Sequence, residues 1–505
     1  MPSLGRHGVT AIRWSAVSTV ARFTLQLGAQ VLLARTLGPE VFGVFAIGLL
    51  VLTFASFVSG FGFSWSLLQR TTVVDSDIRF AWTWQLLVGL LASVGVYLLA
   101  PLLAAYFREP RAEQVIEWLS LACLLTAATA PANSLLQRDL NFRAIGLIQL
   151  GSYAVGYLAV GVPMALQGRA EASLVAAWLV QAGVCLVASY ALKRHAIWPL
   201  FWYSGAPAAL STGRAVFATN VVNWTLNNMD RVLIGRLLNT QALGLYNLAY
   251  NLATLPNTLL LGALQPAFMA AGAKLQTQQQ RLGRIYVQML ATVLVLGLPA
   301  FMFLGLVSAD LVRILYGPAW AESGWVLGIL FMSMPAYVIW GLSTPVLWNT
   351  GRKHQEFALQ LPLVAVGALG FYVLAGQGLR MAASVAAGLL VLRAVVIALA
   401  ALRALQLHPG ALLPHAGRGL LLGSLCAVGV WLGHIATVRF DSALASLTAS
   451  GLLSLTFVSA ALACWPARLL GEPTIDMLLR FLPQLANVLN RCAPPRADAL
   501  GEQRS

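Results

Sequence analysis

Two ridges of polar side chains stand out from an otherwise apolar chain. Thr19, Arg22, Gln26 and Gln30 form one, and Asn220, Asn223, Asn227 and Arg231 form the other. Each set runs i, i+3, i+7, i+11, the spacing that lines one face of a helix. The two superpose one for one at an offset of 201 residues. A guanidinium grips phosphate oxygens in pairs, and amides supply the donors and acceptors that sugar hydroxyls require. Such a set suits an anionic, hydroxyl-rich cargo that is held rather than transformed. Asn247, Asn251, Thr254 and Thr258 make a similar face, as do Thr126, Thr129, Asn133 and Gln137. Asp230 is the one carboxylate placed inside an apolar stretch. Desolvation penalises its charged form, which makes it a candidate proton or sodium site. An ion pair with Arg22 or another cation is the role the sequence favours, since Arg231 adjoins Asp230 but points about 100° away.

The elements that carry these residues follow from composition. Of 505 residues, 59% are hydrophobic and 10% are charged, and the mean hydropathy is +0.77. A soluble domain carries about 25% charged residues, so the chain reads as all-α and polytopic in a membrane. Helices are required because backbone polar groups in lipid must be satisfied within the segment. Charge and Pro/Gly clusters divide the chain into about fourteen spans: 12–34, 41–63, 81–104, 115–136, 145–166, 172–192, 214–237, 243–270, 286–307, 325–348, 358–376, 381–402, 415–436 and 443–463. Arg22 interrupts the first run and no small-residue cleavage site follows, so that run reads as an uncleaved span. The formal charge is +15, from 32 Lys+Arg against 17 Asp+Glu. In a soluble protein this would suggest nucleic acid; here the excess gathers in alternate loops, which places both termini in the cytoplasm. Cys123, Cys185, Cys426, Cys464 and Cys492 make no CxxC, so neither a disulfide framework nor a zinc site is favoured.

An internal repeat organises the spans. LARTLGPEVFGVFAIGLL at 33–50 aligns without gaps on IGRLLNTQALGLYNLAYN at 234–251. Arg35 falls on Arg236, Leu37 on Leu238, Gly43 on Gly244 and Phe45 on Tyr246. Six spans precede the second copy, so a six-helix unit is used twice in parallel. The expected divisions are 1–200 and 201–405 for the pseudo-symmetric halves, 406–465 for two extra spans and 466–505 for a cytoplasmic tail. The matched ridges would then face a hydrated cavity between the halves, because an arginine at mid-span costs about 2.5–3.5 kcal/mol to insert into lipid. Pro163, Pro256, Pro299, Pro335 and Pro345 supply kinks suited to alternating access. Trp82, Trp84, Trp118, Trp325 and Trp348 fall near span ends as an interfacial belt. Trp224, Tyr246, Tyr250 and Trp340 are a minority reading as sugar-stacking faces. Arg393 has no repeat counterpart and divides evenly between packing and site.

The stretch Leu33-Ala-Arg-Thr-Leu-Gly-Pro-Glu-Val-Phe-Gly43 resembles the motif after helix 1 of Wzx-type polysaccharide flippases, within the superfamily of multidrug, oligosaccharidyl-lipid and polysaccharide exporters. Gly60-Phe-Gly-Phe63, Leu67-Leu-Gln-Arg70, Asn228-Met-Asp-Arg-Val-Leu-Ile-Gly235 and Ala242-Leu-Gly-Leu-Tyr-Asn-Leu-Ala249 carry the same resemblance, which covers roughly residues 10–405. It implies transfer of undecaprenyl-pyrophosphate-linked oligosaccharide repeat units across a bacterial inner membrane, with polymerase or co-polymerase partners. It further implies that cationic cavity residues, Arg22 and Arg231 here, serve the pyrophosphate. The two extra spans resemble fourteen-helix lipid II flippases, which keeps murein precursor open as cargo.

Other classes fit less well. A drug/cation antiporter of the same superfamily favours carboxylates where this chain has arginines. A membrane polymerase or ligase usually carries a large external loop with catalytic His or Arg, and the loops here are short. His434 reads as a packing or interfacial residue. Asp75-Ser-Asp77 matches the DxD of sugar-nucleotide transferases but reads as a solvated loop. No P-loop is present, so ATP is not the direct driver. The expectation is a non-enzymatic exporter without a cofactor, coupled to H+ or Na+, and without nucleic acid.

Overall fold

The computed structural model describes residues 2–59, 67, 73–139, 141–203, 206–274, 278–440 and 442–481, without side-chain surroundings for 2–20, 57–59, 206–220 and a few residues elsewhere, mostly in 259–274. Among these every regular element is helical. In chain order they are α1 (Pro2–Ser59), α2 (Asp75–Phe107), α3 (Arg111–Arg138), α4 (Phe142–Tyr153, continued by Ala154–Gly161 and Val162–Leu166), α5 (Ala170–Leu192), α6 (Ala206–Leu237) and α7 (Thr240–Lys274). There follow α8 (Gln279–Thr292, continued by Val293–Gly297 and Leu298–Leu306), α9 (Ser308–Tyr316), α10 (Ala321–Asn349), α11 (Lys353–Leu374), α12 (Leu379–Ala404), α13 (Leu413–Thr437), α14 (Ala443–Cys464) and two short closing helices, Pro466–Leu470 and Glu472–Phe481.

Breaks in these helices have readable causes. Gly38 sits at φ 77, ψ 173 within α1, and Pro39 follows it. Glycine alone adopts that backbone cheaply, and proline has no N–H to give to the preceding turn, so α1 is two helices with a corner. In the second copy the corresponding corner separates α6 from α7, where Asn239 caps the new helix by accepting from the Ala242 amide at 2.7 Å. The wider π-turns at Ala154–Gly161 and Val293–Gly297 each end two residues before a proline, Pro163 and Pro299, which cannot complete the regular ladder.

Where they are described, the expected spans lie on helices, residues 60–63 of the second falling outside the described residues, and eleven helices are long and apolar enough to cross a membrane among the described residues. The difference from fourteen has two sources. Ala21–Ser56 counts once although Gly38 divides it, and α6 and α7 fall outside the eleven. Parts of both helices, 206–220 and several positions in 259–274, lie outside the described side chains. Many helices turn Leu, Val and Trp outward, as Leu91, Leu98, Val187, Leu369 and Leu452 do, the arrangement that suits acyl chains as neighbours.

The chain divides into two compact units, Met1–Asn247 and Leu248–Ser505. In the first, α2 packs on α3 where a Cβ on Gly89 would stand 2.3 Å from the Ala127 methyl. In the second, Phe268, Tyr286, Leu290, Val338, Leu342, Val346 and Leu402 form the main core. The extra helices α13 and α14 join through small residues. Gly429 lies on Ser454 and Gly433 on Ser450, and the Ser454 hydroxyl donates to the Cys426 carbonyl at 3.0 Å. Through Gly419, against the Leu294 carbonyl, α13 also seats on α8.

Candidate functional site

The first ridge lies on the N-terminal arm of α1. Arg22, Gln26 and Gln30 are half-buried. The Arg22 guanidinium donates to the Gln149 side-chain carbonyl on α4. That acceptor is neutral, and among the described residues no carboxylate pairs with Arg22. The bond orients the guanidinium without cancelling its charge, which leaves a cation ready for an anionic group. Thr19 lies in α1, but its side chain is outside the described residues.

The second ridge lies on α6. Asn220 falls outside the described side chains, whereas Asn223 and Asn227 are half-buried. Arg231 does not reach toward the helix end as a snorkelling side chain would. It folds back one turn and donates to the Asn227 backbone carbonyl and to Asn228 Oδ1, both at 2.7 Å. Asn228 is held by its own bond to the Trp224 carbonyl at 2.8 Å. Asp230 is buried, with Oδ2 accepting from the Tyr246 hydroxyl at 2.7 Å and Oδ1 from the Arg231 amide at 2.8 Å. Arg231 Nε stands 3.8 Å from Asp230 Oδ1, so the cation beside Asp230 is its neighbour in sequence and not Arg22.

Several aromatic residues are committed to the protein. Tyr246 is fully buried, so it positions Asp230 and does not present a ring to a sugar. Trp224 packs on Phe54 with centroids 4.8 Å apart, and Trp340 lies 3.8 Å from the Arg393 guanidinium. Threonines of the lesser faces close bonds within their own helices: Thr126 to the Ala122 carbonyl, Thr129 to Leu125 and Thr258 to Thr254. Asn247 is buried and Asn251 half-buried.

The second unit holds a polar centre at the start of α11. Glu356, two residues before the expected span at 358–376, is fully buried on α11, so Asp230 is not the only carboxylate inside a span. The helix begins at Lys353, five residues before the apolar run does, and carries Glu356 into the bundle. Its carboxylate accepts from Trp348 Nε1 at 2.5 Å, Gln360 Nε2 at 2.9 Å and Thr344 Oγ1 at 3.1 Å. Arg393, only 2% exposed, donates through Nε to Gln360 Oε1 at 2.9 Å. Gln360 thus bridges a buried carboxylate and a buried guanidinium. Trp348 therefore serves this centre rather than the interfacial belt alone.

Two remaining motifs settle into structural roles. Asp77 of the DxD triplet is not in the solvated loop expected but buried in the first turn of α2, where it accepts from the Val74 amide at 3.1 Å as a helix cap. His434 on α13 meets the Ser446 hydroxyl at 2.8 Å, and that hydroxyl also reaches Asp310 at 2.8 Å. Among the described residues no cluster of three His, Cys, Asp or Glu is placed to hold a metal.

Helical spans and buried polar residues define a multi-pass membrane protein whose fold is shared with solved transporters of low sequence identity. Lipid II flippase MurJ, in an inward closed conformation, superposes with a TM-score of 0.69 at 14% identity, covering 89% of this chain and 99% of that one. A multidrug resistance MATE family transporter, inward-facing, gives 0.61 at 14% identity over 76% and 94% of the two chains. The family described as polysaccharide biosynthesis protein matches residues 32–324, more than half of the sequence, and the chain belongs to that family. Relatives include the lipopolysaccharide biosynthesis protein WzxC of Escherichia coli (strain K12), 27% identical over 63% of this chain and 65% of its own length. The succinoglycan biosynthesis transport protein ExoT of Rhizobium meliloti (strain 1021) is 28% identical over 74% and 76%. The teichuronic acid biosynthesis protein TuaB of Bacillus subtilis (strain 168) is 25% identical over 71% and 74%. The match thus spans just under two thirds of WzxC and about three quarters of the other two.

Proposed function

We propose that the protein moves undecaprenyl-pyrophosphate-linked oligosaccharide repeat units across a bacterial inner membrane for exopolysaccharide or lipopolysaccharide synthesis. It acts as an alternating-access transporter and not as an enzyme. The observation that carries this reading is the half-buried Arg22, oriented by a neutral amide in a chain of the polysaccharide biosynthesis family. A pyrophosphate crossing bare hydrocarbon meets a prohibitive loss of hydration. A guanidinium at mid-span lowers that barrier, Gln26, Gln30, Asn223 and Asn227 offer partners to sugar hydroxyls, and the lipid tail stays in the bilayer. Arg231 with Asn220 and Asn247 completes the proposed set, and the cytoplasmic placement of both termini follows the basic loops. Asp230, within reach of Arg231 and Tyr246, is the proposed site at which a coupling ion acts. A cationic drug is a poor fit, since both ridges contain an arginine.

Deleting the gene and locating the lipid-linked intermediates tests the proposal. A glycan repeat unit should accumulate on the cytoplasmic leaflet, and the cloned chain should clear it. Accumulated lipid II would point instead to cell-wall synthesis, and dye sensitivity alone to drug export.

A further inference from the structure

The two copies of the repeat meet within the first compact unit, and they meet reciprocally. A Cβ on Gly43 would stand 1.8 Å from the carbonyl oxygen of Thr240, and a Cβ on Gly244 would stand 1.9 Å from that of Pro39. Gly43 corresponds to Gly244 and Pro39 to Thr240 at the same offset of 201 residues. Each copy therefore presses its glycine onto the helix start of the other, as across a local two-fold axis. Backbone lies on backbone with no space for a side chain at either glycine. Around this seam α6 touches the end of α2: Arg236 donates to the Tyr106 carbonyl and lies 5.1 Å from its ring.

A single arginine gathers the neighbouring loops. Arg111, at the start of α3, pairs with Glu109 at 2.9 Å, with Glu40 beside the Gly38 corner and with Glu171 on α5 at 3.5 Å. Glu109 in turn accepts from the Thr240 hydroxyl at 2.8 Å, the residue on which Gly43 rests. The clamp thus links the corners of both copies to two further loops at one end of the unit. Arg111 is 45% and Glu40 62% exposed in their side chains. Exposed pairs are individually weak, so the clamp can part. On the same helices, Arg22, Asn223 and Asn227 are half-buried.

We propose that the Gly43–Gly244 seam is the gate on the non-cytoplasmic side, with Arg111, Glu109 and Thr240 as its latch. This rests on the transport reading above. The gate closes by backbone contact, so cargo cannot leak past side chains, and it opens when Thr240 leaves Glu109. Gly43 and Gly244 are positioning residues: they touch no cargo and set whether the path is shut.

The test uses the full-length protein without its native cysteines, carrying Glu109→Cys and Thr240→Cys, joined by a short thiol-bridging reagent. Bridging should stop polymer export in cells lacking their own flippase, and a reducing agent should restore it. A second readout adds Gln30→Cys and measures its labelling by a membrane-impermeant thiol reagent from the outer side. Labelling should be roughly tenfold slower in the bridged protein and roughly tenfold faster in Gly43→Ala, whose methyl cannot fit the closed seam. Export at the wild-type rate from fully bridged protein, or equal labelling in all three, overturns the latch. Should the native chain export nothing in those cells, the transport reading fails, and the labelling alone decides whether the seam is a gate.

Discussion

Arg22 and Arg393 are both arginines within membrane helices, and they live in opposite circumstances. Arg393 is enclosed: its guanidinium lies on Trp340 and donates to Gln360, which also binds the buried carboxylate of Glu356. Arg22 is half-buried and meets a neutral amide carbonyl. A buried cation whose charge is answered inside the protein works as a structural part, and replacing one partner leaves the other exposed to a low dielectric. A cation that is oriented but not neutralised can accept a ligand anion. The two arginines therefore differ in whether the protein itself answers their charge, which residue type alone could not show.

The sharpest way to break this contrast is to remove each arginine's role in turn. Arg22→Ala should lower export by roughly 100-fold or more while membrane insertion stays intact, since a charge-assisted pyrophosphate contact is worth several kcal/mol. Polymer yield against protein amount in the membrane reads this out. Glu356→Ala should act on the fold instead, costing about 3–5 kcal/mol by stranding Arg393. Thermal unfolding in detergent would show it, and Glu356→Ala with Arg393→Met should recover most of the loss. Tyr246→Phe removes one of the two donors on Asp230 and should cost about 1.5–3 kcal/mol, the range for a hydrogen bond to a charged group. The smallest effect concerns Glu109. The hydrogen bond from Arg111 holds its carboxyl below the ordinary value of 4.5. Its contribution to stability is then complete above that value and fades as pH falls through the lowered one. Glu109→Gln should flatten the acid limb of a detergent unfolding profile slightly, and an unchanged limb would remove the latch from the stability account.

Much of this was legible in the sequence, and the exceptions are instructive. Period and hydropathy located the helices, and the offset of 201 found Gly43 and Gly244, whose reciprocal contact the structure then supplied. Gln149 was not foreseen as the partner of Arg22, because it stands 127 residues away and a lone amide in an apolar helix carries no periodic signal. Glu356 falls just outside the expected span at 358–376 because hydropathy drops where a helix begins, even when that first turn is enclosed by packing. Its spacing to Gln360, i and i+4, was the available clue. Tyr246, a minority reading as a sugar-stacking face, is fully buried with its hydroxyl serving Asp230.

The central claim is that Arg22 carries the anionic head of a lipid-linked glycan across the bilayer. Purified protein in liposomes, supplied with undecaprenyl-pyrophosphate-linked oligosaccharide on one leaflet, measures this directly through its appearance on the other. The account predicts transfer by the native chain, little by Arg22→Ala and partial return with Arg22→Lys. Equal transfer by the native chain and Arg22→Ala would contradict it.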